Sequence, residues 1–176
     1  MEITQLLRDT TNRFSSKSAI FFKGQSITFT DLARNVFNLA SALHGLGVKK
    51  GDKVGIYLPN CPEYVYSYLA VFCLGATGVP LDYQLKSDEL ISCLSHAEAK
   101  FLIGKQNDVS LEDVQRGVSS LAKIILTDSF AGLLANAPDQ FAPVAISEKD
   151  PALIMYTSGT TGKPKGILLN YRHLSG

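Results

Sequence analysis

Apolar positions along the chain recur with a period that switches between that of a helix and that of a strand. Ile3, Leu6, Leu7 and Phe14 fall on one helical face. Residues 19–22 and 27–29 flank Lys23, Gly24 and Gln25 and predict a β-hairpin. Thr30 is placed to cap a helix whose apolar face is Leu32, Val36, Leu39 and Leu43, with Gly47 as its stop. Residues 54–58 read as a buried strand ended by Pro59, and Pro62 suits the first turn of a helix through Tyr64, Tyr68 and Phe72. A short strand at 79–81 precedes a helix that Ser87 can cap, carrying Leu90, Ile91 and Leu94. Strand 101–103 follows, then a helix with Ser110 and Asp113 as a capping box, then strand 124–126. This alternation predicts an α/β fold with a largely parallel sheet covered by helices on both faces.

Residues 135–151 contain Pro138, Pro143 and Pro151 and read as a linker. They divide an α/β subdomain over 1–134 from a second unit over 152–176, which opens with the apolar strand 152–156. Composition changes this picture little. A net charge of +1, with 45% hydrophobic and 19% charged residues, suits one globular core and gives no electrostatic footprint for nucleic acid. Cys61, Cys73 and Cys93 lack metal-ligand spacing and read as reduced, core-filling thiols. No apolar run reaches membrane-spanning length, and Glu2, Arg8, Asp9 and Arg13 break any leader pattern, so the cytoplasm is the expected location.

The chemistry is concentrated behind strand 152–156, in Thr157-Ser158-Gly159-Thr160-Thr161-Gly162-Lys163-Pro164-Lys165-Gly166. Glycines let a backbone approach an anion and aim successive N–H groups at it. The hydroxyls add neutral donors and the lysines add positive charge, which together suit an oligophosphate. A Walker A loop is excluded, because two residues rather than four separate Gly159 from Gly162, and Pro164 follows Lys163. Pro164 also favours an extended chain, so another strand at 167–169 is expected rather than a helix.

This string resembles the phosphate-binding signature of the adenylate-forming superfamily, most nearly that of acyl-CoA synthetases. Three further segments match the family in order: Ile27-Thr28-Phe29-Thr30-Asp31-Leu32, then Gly47 to Asn60 with its Gly51-Asp52 and Leu58-Pro59-Asn60, then Leu74-Gly75-Ala76 with Val79-Pro80-Leu81-Asp82. The resemblance implies the incomplete N-terminal part of that enzyme fold. It also implies ATP, magnesium and coenzyme A as ligands, with a small carboxylic acid as the substrate to be activated. Thr157 to Gly166 would hold the ATP phosphates, Lys165 being the better-placed cation and Thr157 a magnesium contact. No catalytic residue is expected within 1–176, since the family's catalytic lysine and ribose-binding aspartate belong to later segments. Tyr171 stands where many members have histidine, and His173 comes two places later.

Three readings stay open at this point: an acid–thiol ligase, an amino-acid-activating unit that loads a carrier-protein thiol, and an inactive truncated product. Other residues have plainer readings. Tyr64, Tyr68 and Phe72 are spaced to pack on one helix, although a stacking platform has the same spacing. His44 and His96 lie near helix ends without metal-ligand partners, and Asp82 reads as a turn-stabilising carboxylate.

Overall fold

The computed structural model describes residues 3–135, 144–157 and 165–174. Helix α1 (Ile3–Phe14) buries Ile3 and Leu7, whereas Leu6, expected on the same face, is 44% exposed. Strands β1 (Ser18–Phe22) and β2 (Gln25–Thr28) form a separate antiparallel hairpin. Its two turn residues, Lys23 and Gly24, have φ of 48° and 81°, the left-handed pair that matches strand twist in a tight hairpin.

Helix α2 (Phe29–Gly45) starts earlier than expected, with Thr28 rather than Thr30 as its cap. Thr28 leaves β2 in an extended conformation, and its Oγ1 accepts the Asp31 N–H at 3.1 Å. Thr30 is already helical, and its hydroxyl donates back to the Ser15 carbonyl at 3.0 Å. Gly47, with φ of 97°, lies just beyond the helix C-cap Leu46.

Strand β3 (Lys53–Tyr57) leads through α3 (Pro62–Cys73), with Pro62 in its first turn, to β4 (Thr77–Leu81). Helix α4 (Ser87–Ala97) is capped by Lys86, not Ser87: the Glu89 carboxylate turns back to accept the Lys86 N–H at 3.0 Å. Strand β5 (Phe101–Gly104) is followed by α5 (Leu111–Gly117), where Ser110 Oγ accepts the Asp113 N–H as expected. Strand β6 (Lys123–Leu126), a 3-10 turn (Thr127–Ser129) and α6 (Phe130–Ala135) precede β7 (Pro151–Thr157) and β8 (Lys165–Asn170). Helix α6 has too short an apolar pattern to be read from sequence.

Six strands form one sheet in the order β6-β5-β3-β4-β7-β8, parallel except for β8. Val54, Ile56, Phe101 and Ile103 face a core shared with α1, α2 and α3. Tyr57, Val79 and Leu102 face the opposite core, built from Leu90 and Leu94 of α4 and Leu111 and Val114 of α5. The expected two-faced covering is therefore present. Helix α3 returns the chain to β4 on one face, and α4 carries it across β3 to β5 on the other. The connections thus diverge at the carboxyl ends of β3 and β4, where open parallel sheets leave a crevice for ligands.

Packing against β3 is tight. A Cβ added to Gly55 would lie 2.7 Å from Leu94 Cδ2 and 2.9 Å from Leu102 Cδ1. Gly55→Ala therefore overpacks this core and should cost about 1–3 kcal/mol, read as a lower denaturation midpoint at unchanged slope.

Burial also fixes an alkaline limit. It pushes the thiols of Cys73 and Cys93 from 9.0 up to about 11 and raises the phenols of Tyr68 and Tyr171. The folded state keeps protons that the unfolded chain releases, so this stability is full below pH 9 and lost as pH rises towards 11. The melting temperature should hold from about pH 7 to 8.5 and fall above about 9; a rise through that window would contradict the assignment.

Candidate active site

Strands β7 and β8 pair antiparallel, and their registered ends put Thr157 opposite Lys165 and Tyr156 opposite Gly166. Both Thr157 and Lys165 are exposed. A threonine and a lysine are thus paired across the strands at the carboxyl end of β7. Ser158, Gly159, Thr160, Thr161, Gly162, Lys163 and Pro164 lie outside the described residues. The segment after them is a strand and not a helix, which matches the extended path expected from Pro164. Among the described residues, no group of three or more His, Cys, Asp or Glu side chains is arranged to hold a metal.

Beside this hairpin lies a cleft of about 450 Å³ at the carboxyl ends of β3, β4 and β7. Pro59 and Asn60 follow β3, Asp82 and Gln84 follow β4, and Met155 and Tyr156 come from β7. Tyr64 and Tyr68 close it from α3. Their rings lie 5.1 Å apart, and Tyr68 meets Phe72 edge-on at 5.6 Å, so the tyrosine series packs as expected. Two of its members also form a cavity wall, which depends on where α3 meets the sheet and not on their spacing along the helix. Asp82 stabilises its turn, accepting the Gln84 N–H at 2.9 Å. It is the one charged group among the described lining residues.

Tyr156 joins the cleft to helix α4. Its hydroxyl donates to the Cys93 carbonyl at 2.9 Å and lies 2.8 Å from His96 Nδ1, and the two rings meet edge-on at 5.7 Å. Burial, with a smaller contribution from Cys93, pushes the phenol up to about 12, so it is neutral and able to donate near neutral pH. His96 is thus engaged with β7 rather than simply solvated at its helix end.

The chain after β8 turns sharply through a 3-10 segment (Tyr171–Leu174). Tyr171, where family members often have histidine, is 4% exposed. Its hydroxyl sits 3.2 Å from the Phe72 carbonyl and 3.1 Å from that of Ala76, and its ring meets Phe72 edge-on. This tyrosine fastens the hairpin to the end of α3. His173 does not reach the cleft; its Nδ1 accepts the Asn170 N–H at 3.0 Å and closes the turn.

The sequence is similar to that of a feruloyl-CoA synthase from an Amycolatopsis species, 34% identical over 158 residues, which cover 90% of this chain and 31% of the relative. It is also similar to a crotonobetaine/carnitine–CoA ligase of Escherichia coli, 28% identical, with 98% of this chain and 37% of the relative covered. The chain therefore spans about a third of the length of the curated relatives it matches. Among solved structures it resembles the inhibitor-bound N-terminal domain of FACL13 from Mycobacterium tuberculosis, with a TM-score of 0.89 at 28% identity over 99% of this chain and 45% of that one. Among the described residues no helix is long and apolar enough to cross a membrane. The family pattern described as AMP-binding enzyme matches residues 7–175, nearly the whole chain, and the chain belongs to that family.

Proposed function

We propose that the intact protein activates a carboxylic acid with ATP and transfers the acyl group to the thiol of coenzyme A. In the first step a carboxylate oxygen bonds to the α-phosphorus of ATP and the bond to pyrophosphate breaks, leaving an acyl-adenylate. In the second, the thiol sulfur attacks the acyl carbon, its proton is lost, and AMP departs. The single observation that carries this reading is the Thr157–Lys165 pair at the mouth of the β7–β8 hairpin, inside a chain of the AMP-binding family. The CoA-ligase names of its relatives support coenzyme A as acceptor.

Residues 157 to 166 grip the β- and γ-phosphates, and Lys165 offsets charge that builds on the departing pyrophosphate. Preorganised donors and cations act most strongly where charge develops. Thr157 supplies the hydroxyl for magnesium. The cleft beside them, walled by Tyr64 and Tyr68 with Asp82 as its one charged lining residue, holds a flat part of a substrate. By family resemblance the ribose contact and the catalytic lysine come from beyond this segment, so residues 1–176 alone bind nucleotide without turnover.

Acid-dependent exchange of labelled pyrophosphate into ATP by the intact protein tests the reading. Lys165→Ala should lower that exchange about a hundredfold, while thioester formation from supplied acyl-adenylate changes little. Equal losses in both half-reactions would remove Lys165 from the pyrophosphate role.

A further inference from the structure

We propose that His96 is a positioning residue for the phosphate hairpin, acting through Tyr156 to fix the ends of β7 and β8 against helix α4. The inference rests on the phosphate role of that hairpin.

The hydrogen-bond geometry assigns the donor. A tyrosine hydroxyl has one hydrogen, and the Cys93 carbonyl at 2.9 Å receives it. The 2.8 Å contact to His96 must then run the other way, with Nδ1–H donating to the phenol oxygen. Helix α4, strand β7 and one imidazole are thereby linked in a chain with a fixed direction: His96 to Tyr156 to Cys93.

The other strand of the hairpin closes on the same point. A Cβ added to Gly166 would come within 3.3 Å of Tyr156 Cε1 and 3.4 Å of His96 Cε1, so the β8 backbone rests directly on the two rings. Tyr156 and Gly166 are opposite each other, and the next pair outward is Thr157 and Lys165. The brace therefore sits one residue pair from the two groups proposed to meet the phosphates.

Apolar packing gives the hairpin tip little alternative support. Strand β8 is at the sheet edge, with Ile167 49% and Leu168 54% exposed, and neighbouring Met155 is 43% exposed. A polar clamp on α4 supplies the fixed orientation that a buried side chain would otherwise give. Among the described residues the hydrogen bond of His96 to the hairpin goes to Tyr156 and not to Thr157 or Lys165, which is why its role is positional.

The test compares His96→Ala, His96→Asn and His96→Gln in the intact protein. Asparagine places an N–H where Nδ1 stood, whereas glutamine reaches the position of Nε2. Hydrogen–deuterium exchange over residues 152–157 and 165–170 reads the brace, and equilibrium affinity for ATP reads its consequence. Losing one hydrogen bond should speed exchange in both strands and weaken ATP binding about five- to tenfold in the alanine and glutamine variants. The asparagine variant should restore both, and Tyr156→Phe, which removes the Cys93 link together with the His96 one, should lose at least as much as His96→Ala. Unchanged exchange in His96→Ala overturns the brace whatever happens to ATP. Faster exchange with ATP binding that is insensitive to both His96→Ala and Lys165→Ala overturns the phosphate reading, and the positional role falls with it.

Discussion

The whole site depends on how closely β7 can approach β4. These strands meet in register at one pair, Gly78 opposite Leu153, and a Cβ on Gly78 would lie only 3.1 Å from Leu153 Cδ2. The missing side chain lets Leu153 fill the gap. Thr77 reinforces the junction, its buried hydroxyl donating to the Pro151 carbonyl at 3.2 Å. Through this contact the hairpin bearing Thr157 and Lys165 becomes an extension of the central sheet, with Met155 and Tyr156 lining the cleft at the carboxyl ends of β3 and β4.

The hairpin is also secured from the far end. Lys50 reaches across to Asp150, their charged atoms 2.6 Å apart, and donates to the Ala145 carbonyl at 2.7 Å. The lysine contact holds the partly exposed Asp150 carboxyl below its usual range. An exposed pair of this kind contributes little energy. What it does supply is direction, because the same turn receives the backbone N–H groups of Tyr171 and Arg172 on the carbonyls of Asp150 and Glu148. Several weak contacts thus set the register of a segment whose apolar burial is small.

Much of this was legible in the sequence, for definable reasons. The elements with strong periodicity, such as α2 with Val36, Leu39 and Leu43 or β3 with Val54 and Ile56, were read directly because one physical term dominates them. Helix starts were harder. Thr28 and Thr30 are both competent caps, and only the hairpin before α2 decides that Thr28 leaves its strand while Thr30 turns towards Ser15. The hydroxyls and cation of the phosphate hairpin were visible as a local string, since glycine and proline spacing is a property of neighbours in the chain. The cleft was not, because Asn60, Tyr68, Asp82 and Met155 come from four separated segments. The link between His96 and Tyr156, 60 residues apart, was hidden for the same reason.

Tyr171 carries a consequence for how this chain could change over time. Its ring fills space beside Phe72, and its one hydroxyl hydrogen is shared between the carbonyls of Phe72 in α3 and Ala76 just beyond it. Replacement by an imidazole would leave a void and lose that reach, so the position is governed by folding rather than by turnover. A histidine there would give up both the ring contact and that reach, and the anchor between β8 and α3 would loosen with them.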